Sequence, residues 1–215
     1  MRAEIIVLVA LFGYFLGGIM FAKLVGRFVL KEDVTKRGSG NPGTMNMYRN
    51  YGFKIGVVVL ILDAAKGVIP AVVGMIFLGQ NGIFIGGSAA VLGHCFPIMT
   101  GFKGGKGVAT ALGVFWVSSP VAMCVAFVAM LGFLALTEVA GVTSLVFISS
   151  MTIWEASKHS GNYVAVACIL GIFVLIWFAH RSNILKTLTG NERKTSFRKL
   201  FIRKKKTQET SSQNK

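Results

Sequence analysis

Apolar runs recur down almost the whole chain, at residues 5–25, 55–78, 83–99, 108–119, 121–136, 139–154 and 163–179. A hydrocarbon core about 30 Å thick is crossed by about 20 helical residues rising 1.5 Å each, so most of these runs have the length of a membrane helix. Hydrophobic residues make up 53% of the chain and the mean hydropathy is +0.66, which excludes a soluble domain of this size. The expected fold is an all-α polytopic membrane protein.

The number of crossings turns on residues 108–136. Read as one helix, they give six crossings and put both termini on the same side. Ser118-Ser119-Pro120 argues for a break, because proline removes a backbone donor and biases its predecessor away from helix. Charge supports the break. Of the 23 Lys and Arg, all but Arg2, Lys66 and Lys158 then fall on one face. By the positive-inside rule that face is cytoplasmic, so seven transmembrane helices are expected, with the N-terminus outside and the C-terminus in the cytoplasm. The net charge of +15 is therefore read as topology and not as a sign of nucleic acid, with some attraction of Arg203-Lys204-Lys205-Lys206 to anionic lipid. Cys95, Cys124 and Cys168 lie in apolar runs and show neither disulfide nor metal spacing. Glu4 and the lack of a small-x-small cleavage pattern favour a retained first span over a signal peptide.

Three polar stretches fall on the expected cytoplasmic face. Residues 93–110, GHCFPIMTGFKGGKGVAT, combine His94, Lys103 and Lys106 with five glycines. Glycine permits positive φ and lets N–H groups converge on a ligand. The run from Val108 reads as helix, so the loop sits at a helix N-terminus, where unpaired N–H groups and the macrodipole attract an anion such as a phosphate or acyl phosphate. Lys106 is followed by Gly107, not by the Ser or Thr of a nucleotide P-loop. On composition alone, close helix packing and cytoplasmic lysines account for the same residues equally well.

The stretch at residues 37–49, RGSGNPGTMNMYR, is either a polar turn or a second anion or polyol site, with Ser, Thr and Asn as donors and acceptors and Arg49 as a phosphate clamp. In His180-Arg181-Ser182-Asn183-Ile184, His180 and Asn183 stand one turn apart and can face one ligand; the plain alternative is an interfacial amphipathic end. Asp63 and Lys66, at i,i+3 inside an apolar run, are expected to neutralise each other structurally. Glu138 can face the site, whereas Glu155, Lys158 and His159 read as a solvated outer loop. With only eight acidic residues and no His-Cys cluster, catalysis would rest on positioning and fixed donors without a metal. An anion channel or transporter is the rival reading, against which the outer face offers little to bind an ion.

In order and spacing, GSGNPGTMN with Arg49, GHCFP followed by GFKGGKGVAT, and HRSNI ending at Gly190 and Glu192 resemble the three cytoplasmic motifs of the acyl-phosphate-dependent glycerol-3-phosphate acyltransferases, the PlsY family. Asp63, Lys66 and Gly67 resemble that family's D-x-x-K-G, and Met45 stands where it usually carries Thr. The resemblance implies a membrane acyltransferase domain at residues 1–192, followed by a basic, disordered cytoplasmic tail at 193–215. It further implies a bacterial plasma-membrane enzyme whose active site faces the cytoplasm and which needs no cofactor or metal. Such an enzyme moves a fatty acyl group from acyl phosphate to the 1-hydroxyl of sn-glycerol 3-phosphate, giving lysophosphatidic acid and inorganic phosphate, the first acylation of phospholipid synthesis. The implied partners are these two substrates, the lipid bilayer and the enzyme that produces acyl phosphate. Substrate-binding residues are expected at Ser39, Asn41, Thr44, Asn46, Arg49, His94, Lys103, Gly104, Gly105, Gly107 and Thr110. Lys106, His180, Asn183 and Glu192 are expected to carry the chemistry, a phosphate oxygen of the substrate being the rival of His180 as proton acceptor.

Overall fold

The computed structural model describes residues 2–195, and the regular structure among them is helical. The first apolar run is not one rod. Helix α1 (Arg2–Gly17) stops before a break at residues 18–20, and α2 (Phe21–Val25) continues into a wider π-type turn, Gly26–Leu30. The pair Gly17-Gly18 is a poor helix former. The break is made tolerable by Lys66, whose ammonium donates to the freed Ile19 carbonyl at 2.7 Å.

The next two runs lie in one helical stretch, α4 (Phe53–Cys95), which follows α3 (Thr44–Tyr51) and doubles back at Gly79, where φ is 61° and ψ is −144°. In a straight helix Pro70 and Gly86 would stand about 24 Å apart. Instead, a Cβ at Gly86 would strike the Pro70 carbonyl, and one at Gly82 would strike the Gly74 carbonyl. The arms, residues 53–78 and 80–95, are thus an antiparallel hairpin in backbone contact, which only side-chain-free positions allow. Helix α1 packs along the second arm through Gly13 and Gly17.

The expected break at Ser118-Ser119-Pro120 is present. Helix α5 (Val108–Ser118) ends there, and α6 (Pro120–Thr137) starts with the proline in its first turn. Although α5 has only 11 residues, Thr110 through Phe115 are all buried. A helix that is apolar all round belongs in the core, and α5 is wedged against the α4 hairpin, Gly113 beneath the Ala64 carbonyl. Helix α6 lies outside it with only Met123 and Leu134 buried. Helices α7 (Ala140–Lys158) and α8 (Tyr163–Ala179) close the bundle, and α9 (Arg181–Leu188) bends away from α8 by 53°.

By length and composition, three helical stretches among the described residues can cross a membrane: Ala3–Leu30, Phe53–Thr100 and Pro120–Thr137, with a fourth if α8 and α9 count as one bent span. The second contains the hairpin and so supplies two rods. The group at Glu155 differs from the solvated loop expected of it. Glu155 is fully buried and accepts from the Ser118 hydroxyl at 2.7 Å; His159 is buried, 2.8 Å from Gln80 Nε2 and edge-on to Phe84. Lys158 is exposed but donates to the Ser118 carbonyl and to Ser119 Oγ. The α5–α6 break frees backbone groups at this end, and the last turn of α7 supplies their partners. Of the basic tail expected at 193–215, residues 196–215 lie outside the described residues, while Thr195 is buried against the bundle.

Candidate active site

A cavity of about 790 Å³ opens at the end of the bundle where the second arm of α4 stops, α5 starts, α6 gives way to α7 and α8 ends. All three polar stretches of the sequence reach it, through Arg49, Lys106 and Asn183 among others. One wall is apolar, formed by Phe127, Met130, Leu131 and Leu134 of α6 with Leu60 and Leu112.

The first stretch wraps around Asn46. Its Oδ1 accepts from the Ser39 N–H at 2.9 Å, the Ser39 hydroxyl at 3.1 Å and Asn50 Nδ2 at 2.9 Å, while its Nδ2 donates to the Val34 and Arg37 carbonyls. Asn46 therefore holds the loop together; its side-chain hydrogen-bonding capacity is spent, so it fits a structural role better than the expected substrate contact. Ser39, Asn41, Thr44, Asn46 and Arg49 line the cavity, and the Thr44 hydroxyl is buried there with no partner among the described residues.

The glycine stretch rests on His94. The Gly105 N–H donates to the His94 carbonyl at 3.0 Å, and a Cβ on Gly105 would collide with His94 Nε2. His94 is buried, its Nδ1 3.8 Å from Asp63 Oδ1, and Asp63 pairs with Lys66 at 3.0 Å. The structural pairing expected of Asp63 and Lys66 thus extends to the floor of the loop. Gly107, with φ 79°, turns the chain into α5. The N–H groups of Lys106, Gly107, Val108, Ala109 and Thr110 have no backbone acceptor among the described residues. Gly104, Gly105, Gly107 and Lys103 line the cavity, but Thr110 does not: it is fully buried with its backbone against Gly67.

Lys106 is where the stretches meet. Its ammonium bonds to Asn183 Oδ1, and Asn183 Nδ2 donates to Glu192 Oε1 at 2.7 Å. Burial pushes the Lys106 ammonium down to about 8; Glu192 opposes the shift and Arg49 and Lys186 add to it. His180, at the end of α8, is buried, and its Nδ1 donates to the Ile176 carbonyl at 2.8 Å, which leaves Nε2 as the nitrogen with a lone pair. Burial first, then Lys106, holds its imidazole down at about 4, against the Ile176 bond. Arg49 is held from beyond the third stretch. Its Nε donates to Thr195 Oγ1 at 2.9 Å, its Nη2 bonds to the same oxygen, and Nη2 also donates to the Arg193 carbonyl at 2.9 Å.

Thr195, Arg193 and the α6 wall carry no distinguishing sequence signal. The first two sit in a basic run that reads as tail, and the wall has the composition of any lipid-facing helix. Thr195 is followed by Ser196 and Phe197 before the basic run resumes at Arg198, and nothing local marks the threonine as buried.

A fold of apolar helices around a cation- and amide-lined cavity with one apolar wall has the make-up of an integral-membrane protein with a polar site at one end. The model of the glycerol-3-phosphate acyltransferase family matches residues 7–190, and the chain belongs to that family. It is 38% identical over 183 residues to a glycerol-3-phosphate acyltransferase of Maridesulfovibrio salexigens, covering 84% of this chain and 92% of that one. It is 37% identical over 188 residues to glycerol-3-phosphate acyltransferase 2 of Bacillus anthracis, covering 87% and 98%. Crystal structures of PlsY, an integral membrane glycerol 3-phosphate acyltransferase, superpose with a TM-score of 0.84 and 33% identity in a glycerol 3-phosphate form, covering 91% of this chain and 98% of that one. A lysophosphatidic acid form gives 0.81 and 34%, covering 92% and 98%. The chain is thus a PlsY-type acyltransferase and an integral membrane protein.

Proposed function

We propose that the enzyme transfers a fatty acyl group from acyl phosphate to the 1-hydroxyl of sn-glycerol 3-phosphate. The products are lysophosphatidic acid and inorganic phosphate. The observation that supports this reading is the cavity itself, where cations and hydrogen-bond donors from three chain segments border an apolar α6 wall. That related PlsY structures exist in glycerol 3-phosphate and lysophosphatidic acid forms supports the same acceptor and product here.

In this scheme the free N–H groups at the start of α5 hold the acyl-phosphate head, with Lys106 beside it. Arg49, Ser39, Thr44 and Lys103 take the phosphate and hydroxyls of glycerol 3-phosphate. The glycerol 1-hydroxyl attacks the acyl carbon, the bond from that carbon to the phosphate oxygen breaks, and the hydroxyl proton leaves with the phosphate. Acyl phosphate is already activated, and a histidine held near 4 is a weak base, so the leaving phosphate oxygen is the better proton acceptor. His180 then orients the hydroxyl through Nε2. A pH profile flat from 6 to 7.5, with His180→Gln still active, is the expected result; an acid limb that disappears in His180→Gln would assign the proton to the histidine.

Among the described residues, Lys and Arg gather at the cavity end, so by the positive-inside rule it faces the cytoplasm of a bacterial plasma membrane, with seven helical rods crossing and the N-terminus outside. The direct test is phosphate release by the purified protein from palmitoyl phosphate, with and without glycerol 3-phosphate, in EDTA. Release that requires glycerol 3-phosphate and survives EDTA is expected. Its absence from folded protein would overturn the proposal.

A further inference from the structure

Arg49 is the cation that the proposed reaction assigns to the phosphate of glycerol 3-phosphate, and the inference below rests on that assignment. A guanidinium has two edges fit for bidentate bonding, Nε with Nη2 and Nη1 with Nη2. In this structure the first edge is occupied by a single oxygen, Thr195 Oγ1, which accepts from both Nε and Nη2. The second Nη2 proton goes to the Arg193 carbonyl, and Nη1 makes no hydrogen bond among the described residues.

Thr195 is itself fixed. It is only 2% exposed, and its N–H donates at 2.6 Å to the carbonyl of Glu138, the left-handed residue at the turn between α6 and α7. The turn is thereby tied through Thr195 to Arg49 of α3. A long arginine side chain loses considerable rotamer entropy when fixed, and a hydroxyl already fixed on one edge removes that cost before substrate arrives. Thr195 lies beyond residues 7–190, the part of the chain that the family model matches.

We propose that Thr195 is a positioning residue for substrate recognition: it clamps the Nε edge of Arg49 so that the Nη1 side is presented to the phosphate of glycerol 3-phosphate. It touches the arginine and not the reacting atoms. Its loss therefore acts on acceptor affinity and not on the acyl-transfer step.

The experiment is steady-state kinetics of the full-length enzyme in detergent or lipid, with glycerol 3-phosphate and palmitoyl phosphate varied separately. Thr195→Val, close in shape but lacking the acceptor oxygen, is expected to raise KM for glycerol 3-phosphate about tenfold, roughly one lost hydrogen bond to a charged group. Its KM for palmitoyl phosphate and its kcat should hold, and Thr195→Ser should restore the parent value. In an Arg49→Ala background, Thr195→Val should add nothing further. An unchanged glycerol 3-phosphate KM in Thr195→Val, or a fall in kcat alone, overturns the positioning role. So does full additivity with Arg49→Ala. If Arg49→Ala itself leaves that KM unchanged, the phosphate assignment fails instead, and the two failures are distinguished. Should Thr195→Val not purify as folded protein, Thr195→Ala and Thr195→Ser are read in the same way, and equal KM values for those two would likewise overturn the role.

Discussion

The two ends of the bundle are both dense in polar side chains, yet they differ in how much of that polarity is still available. At the far end, Gln80 meets His159, Asn162 donates to Asn81, Ser118 donates to Glu155, and Lys158 caps the α5–α6 break. There, Glu155 Oε1 and Thr152 Oγ1 are the buried side-chain atoms without a partner among the described residues. At the cavity end, the Thr44 hydroxyl, the Lys103 ammonium and the N–H groups of Lys106, Gly107, Val108 and Ala109 have no partner among the described residues and border an open volume. Buried polar groups in a membrane protein must find partners. A cluster that satisfies itself is mortar; one that keeps donors back around a cavity is a site.

The sharpest way to break this contrast is to remove the central cation. Lys106→Met is expected to lower kcat/KM by about 10²–10³-fold, the loss seen when one preorganised donor to developing charge is deleted. Assay of the purified variant checks it, and activity within a few-fold of the parent would sink the central role of Lys106. A pH series on the parent enzyme tests the same residue without mutation. With its folded value near 8, Lys106 loses its proton as pH rises through 8, so activity should fall there. Stability should move the other way. The unfolded lysine keeps its proton to about 10.4, so between those values the unfolded chain binds more protons and the fold gains stability with pH. A loss of activity above pH 8 with an unchanged or raised melting temperature is the expected combination.

The far end should answer in stability and not in kinetics. Glu155→Ala strands the Ser118 hydroxyl and removes a neighbour of His159, which should cost about 1–3 kcal/mol of stability. The readout is a lower melting temperature in detergent with both KM values unchanged. A raised KM for glycerol 3-phosphate, with folding intact, would mean that the two ends are coupled and the contrast is false. Glu155→Gln, which can still accept from Ser118, should lie between the two.

The sequence made one of these ends far more legible than the other. Arg49, Lys106 and Asn183 stand out because each sits in a run of glycine and small polar residues within an apolar chain, and the structure brings all three to one cavity. The Ser118-Ser119-Pro120 break was equally readable, since proline acts through local backbone chemistry. What could not be read depends on distant partners. Glu155 and His159 look like loop residues until α7 is seen to turn Glu155 toward Ser118 at the α5–α6 break and His159 toward Gln80 and Phe84. Asn46 looks like a ligand until Val34, Arg37 and Asn50 are seen to use up its amide. The break at residues 18–20 was hidden because the partner of Ile19 is Lys66, 47 residues away.

The smallest expected effect compares two exposed lysines, one at each end. Lys103 lines the cavity, and its ammonium has no partner among the described residues, whereas Lys158 donates to the Ser118 carbonyl at 2.8 Å and Ser119 Oγ at 2.7 Å. Both are solvent-exposed, so each charge acts in high dielectric and is screened over about 8–10 Å at ordinary ionic strength. Lys103→Ala should therefore raise the apparent KM for glycerol 3-phosphate only two- to five-fold, within the roughly 1 kcal/mol of an exposed charge contact. The difference should shrink as salt is added, because screening removes what the mutation removes. Lys158→Ala should leave that KM and its salt dependence untouched. If the two alanine variants shift KM equally, the effect belongs to net charge and not to place, and Lys103 has no part in holding the phosphate.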